Sequence, residues 1–211
     1  TNIIYAQAPA GFRSVGYVST WNSNYYVHDL SKVTHLIVSF YNPNGSMMLV
    51  DGSDPSKYKL NRLRDSCDAH GRSLIVSIGG ANAGESTYGD LLKDQTNRRI
   101  FEHNIITFCL DNNVDGIDID LEGSLVSNTF KYNDFVRELC DSLHAHGLEA
   151  TSAVAQWNGG NIESSSLAKL DYLYLMAYDN TGEANHASMA FAEANIDYWN
   201  LDRGVPIGKL V

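Results

Sequence analysis

Short apolar runs alternate along this chain with longer segments in which apolar residues recur at helical spacing. Runs at 14–19, 35–41, 73–78, 116–122, 150–155 and 172–178 have the length of strands. The segments 58–70, 95–112, 129–146 and 164–168 between them read as helices. In the third of these, Phe135, Leu139 and Leu143 stand at i, i+4 and i+8, and Gly147 supplies a stop. Several strands are apolar on both faces, as parallel strands covered by helices tend to be. Repeated β-α units predict a parallel sheet with right-handed crossovers. Inward acids and aromatics near the strand ends favour a (β/α) barrel over an open sheet, with chemistry at the C-terminal strand ends.

Six strands are predicted, and a (β/α)8 TIM barrel needs eight. After Tyr178 come a polar loop, a helix over 189–199 and Gly204-Val205-Pro206-Ile207-Gly208; a seventh strand starts at Lys209-Leu210-Val211. The expected fold class is α/β, of (β/α)8 TIM-barrel type, with about six strands present and the C-terminal part missing. The catalytic domain is expected over 13–211, after a leader or linker remnant over 1–12. Within that remnant, Ile3-Ile4-Tyr5-Ala6-Gln7-Ala8 has the A-x-A-like end of a trimmed secretion signal, without its basic or long apolar part.

Charge narrows the partners. The 25 acidic against 15 basic residues give a net charge of −10, so there is no basic footprint for nucleic acid or anionic membrane. No apolar run approaches a membrane span. A neutral substrate such as a carbohydrate fits this surface, and a polyanion does not. Cys67, Cys109 and Cys140 are an odd, sparse set within or at the ends of helical patterns, and read as small buried hydrophobes. His144 and His146 stand at i, i+2 and face different sides of a helix; His35 begins a strand and His28 sits in a loop. The pairs Gly79-Gly80 and Gly159-Gly160 lack nucleotide-loop spacing. No metal and no cofactor is expected.

The chemistry is concentrated in Asp115-Gly-Ile-Asp118-Ile-Asp120-Leu-Glu122. On a strand, alternation puts Asp118, Asp120 and Glu122 on one face and Ile117, Ile119 and Leu121 on the other. A calcium loop would have polar spacers and a central Gly turn. Stacked acids repel one another and cannot all ionise cheaply, so the strand reads as the floor of an active site that keeps a proton on a carboxyl group. Asp115 has the opposite parity and suits a structural role where the strand begins. Glycoside cleavage needs a proton delivered to the leaving oxygen. Glu122, nearest the open end of the strand, is best placed to deliver it, with its pKa raised by neighbouring Asp120. Asp118 and Asp120 lie on the same strand and would sit below it.

Together with Ser77-Ile-Gly-Gly80 and Met176-Ala-Tyr-Asp179, this octet resembles the DxxDxDxE, SxGG and M-x-Y-D motifs of glycoside hydrolase family 18, the chitinase family. The resemblance runs from about Gly16 to Val211. It implies a retaining mechanism in which the substrate's 2-acetamido oxygen attacks C1. The position of Asp120 stabilises the resulting oxazolinium, and that of Asp118 shares a proton with it. It implies that the Tyr178 hydroxyl holds the acetamido oxygen, although inward aromatics are commonly core. Asp179 and Met176 belong to the same motif. By resemblance Ser77 and Tyr17 hydrogen-bond Asp118; generic barrel filling is their plainer alternative. Gly79 and Gly80 would let substrate or backbone approach closely, or form a plain turn. Gln156, Trp157 and Phe40 are candidates to line the cleft, with ordinary core as the alternative. The family places a tryptophan at the end of strand eight, and Trp21, Trp157 and Trp199 stand elsewhere.

The expected function is hydrolysis of β-1,4-linked N-acetylglucosamine polymers, chitin or its oligosaccharides, by a secreted, periplasmic or cell-surface enzyme. An endo-β-N-acetylglucosaminidase acting on N-glycans uses the same acids. A non-catalytic chitin- or glycan-binding lectin typically lacks the acid matching Glu122, which is present here.

Overall fold

A computed structural model describes residues 11–22, 29–180 and 186–211. Residues 1–10, where a leader or linker remnant is expected, His28 and the centre of the polar loop after Tyr178 lie outside the described residues. Six strands form one parallel sheet in the order β1 (Val15–Ser19), β2 (His35–Ser39), β5 (Ser73–Gly79), β6 (Gly116–Asp120), β7 (Glu149–Val154) and β8 (Tyr172–Leu175). Each is hydrogen-bonded to the next strand in that order, giving an α/β half-barrel that is open between β1 and β8. A short antiparallel hairpin, β3 (Asn42–Pro43) and β4 (Leu49–Val50), interrupts the path from β2 to β5.

The helices lie on the outer face. They are α1 (Tyr58–His70), α2 (Glu85–Lys93), α3 (Gln95–Asp111), α4 (Tyr132–Ala145), α5 (Ser164–Lys169) and α6 (Met189–Asp197). Local chemistry sets their ends. The Asp54 carboxylate accepts the Lys59 and Leu60 N–H groups at the start of α1, and Gly71 closes that helix in the left-handed conformation (φ 61°). Asp94 caps α3 by accepting the Asn97 N–H.

Two apolar clusters result from the alternation. The outer one joins the sheet to the helices and includes Val38, Val76, Ile117, Ile119, Phe101, Phe135 and Leu139. The inner one is small: Ile37, Ile75 and Tyr174, flanked by Val15 and Tyr172. Other inward positions, among them Tyr17, Ser77, Asp118, Asp120 and Thr151, are polar and build the site described below. Cys67, Cys109 and Cys140 are free and buried.

The structure differs from the sequence reading mainly at element ends. The strand expected over 116–122 ends at Asp120, and the one over 172–178 ends at Leu175. In the second case the Ala177 N–H turns back to the Leu175 carbonyl (2.8 Å), which breaks the ladder before Tyr178. The helix expected over 129–146 begins with a separate 3-10 turn, Asn128–Phe130, because Lys131 is left-handed (φ 56°). Helix α2 and the β3–β4 hairpin were not expected. Nine residues with buried Tyr88, Leu91 and Leu92 give α2 too short a period to read. At the C-terminal end, Ile207–Lys209 forms a 3-10 turn, and strand pairing starts at Leu210, bridged in parallel to Leu173.

Candidate active site

Register places the acids. Asp118 pairs with Ser77 on one side and Thr151 on the other, so all three side chains share the inner face. The fully buried Asp118 carboxylate accepts hydrogen bonds from Tyr17 Oη (2.9 Å), Ser77 Oγ (2.8 Å) and Thr151 Oγ1 (3.0 Å). Two residues on, Asp120 is 7% exposed, and its Oδ1 is buried without a hydrogen-bond partner among the described residues. Glu122 lies beyond the strand, yet its backbone stays extended (φ −122°, ψ 172°), so the alternation carries through.

The electrostatics follow from this asymmetry. Burial raises the Asp118 pKa, and its three donors oppose that rise. Asp120 has no such compensation: burial, then the charges of Asp118 and Glu122, push it up to about 8. Near neutrality Asp120 therefore keeps its proton. Glu122 is also raised, but by burial. The expected repulsion from Asp120 is not its cause, because the shared charge is felt on Asp120 instead.

The end of β5 is shaped to meet this strand. Gly79 adopts φ 111° and Gly80 φ 86°. A Cβ on Gly79 would run into the Asp120 carbonyl, and one on Gly80 would come within 2.5 Å of the Phe40 ring. The Gly80 N–H donates to the Asp120 carbonyl (2.8 Å). Asn42 clamps Gly79 from the other side, accepting its N–H (2.9 Å) and donating to its carbonyl (3.1 Å), while Tyr88 Oη donates to Asn42 (2.6 Å). Neither Asn42 nor Tyr88 was anticipated; one lies in the unexpected hairpin and the other on the unexpected α2. Trp21 stacks on Phe40 (centroids 6.0 Å apart, 19° between planes).

Three contiguous cavities lie over the C-terminal end of the sheet. The central one, about 400 Å³, includes Tyr17, Phe40, Asp120, Met176 and Tyr178. Met176 and Tyr178 also line a second, about 670 Å³, with Glu122, Gln156, Trp157 and Asp179. Phe40 also lines a third, about 770 Å³, with Trp21, Gly79 and Gly80. Trp157 is 71% exposed, which is inconsistent with the core alternative, and so is the half-exposed Tyr178. Asp179 is left-handed (φ 56°) and pairs with His186 Nε2 (2.6 Å). Phe191, Asn195 and Tyr198, from α6 and the turn after it, complete the second cavity; no motif marked them. Asp115 lies outside the cleft, accepting the Arg64 guanidinium and the Leu74 N–H (both 2.7 Å). His144 pairs with Asp171 (3.0 Å) on the surface. Among the described residues, no group of three or more His, Cys, Asp or Glu could hold a metal ion, and no helix is long and apolar enough to cross a membrane.

A six-stranded half-barrel of this order, with its acids at the C-terminal end of the fourth strand of the sheet, is a partial TIM-barrel-type α/β fold. The chain belongs to the glycosyl hydrolases family 18, whose sequence profile matches residues 13–211. A GH18 chitinase of Flavobacterium johnsoniae, ChiB, superposes with a TM-score of 0.79 at 28% identity, covering 94% of this chain and 66% of that one. Catalytic domain 2 of an Ostrinia furnacalis Group II chitinase, a mutant solved with a chitooligosaccharide, also gives 0.79 at 19% identity, covering 95% and 63%. A secreted chitinase of Penicillium expansum is 26% identical over 86% of this chain and 14% of its own length.

Proposed function

We propose that this protein is a retaining glycosidase that cleaves β-1,4 linkages between N-acetylglucosamine units, in chitin or chitooligosaccharides. The observation that carries this reading is the contrast within one strand. Asp118 is saturated by three donors, and Asp120 keeps an unpartnered oxygen and is the one acid lining the central cavity among the described residues. A classical second carboxylate across the sugar is not needed if the substrate's own acetamido oxygen attacks C1. Asp120 then accepts the acetamido N–H, passing its proton to Asp118 as it turns, and Tyr178 Oη donates to the acetamido oxygen. Glu122 protonates the leaving oxygen and afterwards takes a proton from the water that opens the oxazolinium on the same face.

The cleft also has a direction under this reading. Glu122 serves the leaving group and lines the cavity of Gln156 and Trp157; Asp120 serves the retained sugar, on the side of Phe40 and Trp21. The reducing-end portion of the chain then lies over Trp157, whose exposed face suits stacking on a sugar ring. A polymer that does not cross membranes places the enzyme outside the cytoplasm: secreted, periplasmic or at the cell surface. One of its relatives is described as secreted.

The test is a substrate panel of chitooligosaccharides, glucose oligomers of equal length and a high-mannose glycoprotein. Cleavage of the first alone, with the β anomer released initially, is the expected result. Efficient cleavage of glucose oligomers would overturn the acetamido mechanism. Cleavage of the glycoprotein alone would identify an endo-β-N-acetylglucosaminidase. Binding of chitooligosaccharides without cleavage of any substrate would identify a lectin.

A further inference from the structure

Beneath the acids, the floor of the half-barrel holds a second charged group that no motif marks. Arg13, just before β1, is 8% exposed at its side chain. Its guanidinium lies 3.9 Å from the Tyr172 ring centroid, donates to Tyr174 Oη through Nη2 (2.7 Å) and Nε (3.2 Å), and pairs with Glu149. Tyr174 in turn meets Tyr17 edge to face (centroids 6.1 Å apart, 88°), and Tyr17 donates to Asp118. Arg13 is thus joined to the catalytic pair through two tyrosines, one contact at a time.

We propose that Arg13 is a positioning residue that acts as the counter-charge of the Asp118–Asp120 pair, keeping one negative charge on it. The proposal rests on the acetamido-assisted reading, in which a pair holding two protons could not stabilise an oxazolinium. The other charged and titratable groups facing this region are few. Glu149 from β7 partly offsets Arg13. His35 from β2 is held down to about 4 by burial and by Arg13, so it is neutral near neutral pH. Tyr17, Tyr88, Tyr132, Tyr174 and Tyr178 have their pKa values raised by burial and stay uncharged, and Glu122 lies at the far end of the strand. The Arg13 charge is felt at Asp118, where it opposes the rise that burial causes.

The test needs no turnover, so it stands apart from the assignment of the substrate. Carboxyl carbon NMR titrations of the full chain would follow the pair, with its signals assigned from Asp118→Asn and Asp120→Asn. In Arg13→Gln, the lower midpoint of the pair is expected to rise by about half to one pH unit. In Glu149→Gln it is expected to fall, because the offsetting charge is gone. Arg13→Lys should stay close to the parent. A purely structural role predicts disturbance of one sign in both Gln variants, and that result would overturn the proposal. So would a midpoint in Arg13→Gln equal to that of the parent. If Arg13→Gln does not fold, the proposal still fails on a rise in Glu149→Gln or on an Arg13→Lys midpoint displaced upward by half a unit.

Discussion

On the outer face of β6, Ile117 and Ile119 are fully buried against the helices and are interchangeable with any apolar residue of their shape. On its inner face, one residue away in each case, Asp118 is just as inaccessible and Asp120 nearly so, with its carboxyl facing the central cavity, yet each depends on particular neighbours. Burial stabilises the outer pair, by roughly 1.5–3 kcal/mol per side chain. The same burial works against the inner pair and raises both their pKa values. One strand therefore carries a face that secures the fold and a face that the fold must tolerate. What separates Asp118 from Asp120 is the supply of donors: three for the first, and none for Oδ1 of the second.

Asp120→Asn should break this comparison most sharply. Under the proposed mechanism it lowers the hydrolysis rate by roughly two powers of ten. It should also change stability in a pH-dependent way. The folded-state pKa of Asp120, about 8, lies above its ordinary value near 3.9. Its contribution to stability is thus complete at acid pH and lost as pH rises toward 8. Thermal melts should show variant and parent matched near pH 4, with the variant ahead by roughly 5 kcal/mol at pH 8. A constant difference across that range would show that the carboxyl is not held protonated.

Ile119→Ala probes the outer face and should cost about 2–5 kcal/mol by denaturant unfolding. The midpoints of the Asp118–Asp120 pair should stay in place in the folded fraction. The smallest effect is expected from Tyr17→Phe, which removes one of three donors: about 1–2 kcal/mol at neutral pH, shrinking as Asp118 is protonated. If the loss were equal at acid and neutral pH, packing rather than hydrogen bonding would be the contribution of Tyr17.

The parallel sheet of β-α units and the inward face of the acids were legible because alternation along a strand is local and strict. Strand ends were not, because they depend on where the backbone turns away from its neighbour, as where the Ala177 N–H turns back to the Leu175 carbonyl, and the apolar pattern of the strand does not record that. The acids and the Gly79-Gly80 turn stood out as motifs. Asn42, Tyr88 and Arg13 did not, since each acts across the fold through a contact between elements far apart in sequence. The source of the Glu122 shift was misjudged for a related reason: parity shows that charges are near, but burial decides which of them is felt.

The most direct measurement is hydrolysis of a fluorogenic N,N′-diacetylchitobioside by this protein and by its Glu122→Gln variant, with binding of chitooligosaccharide measured in parallel. The account predicts turnover by the parent, a loss of roughly two or more powers of ten in the variant, and binding retained in both. A variant within tenfold of its parent would contradict the assignment of Glu122 as the proton donor, and with it the reading of the strand as a catalytic floor.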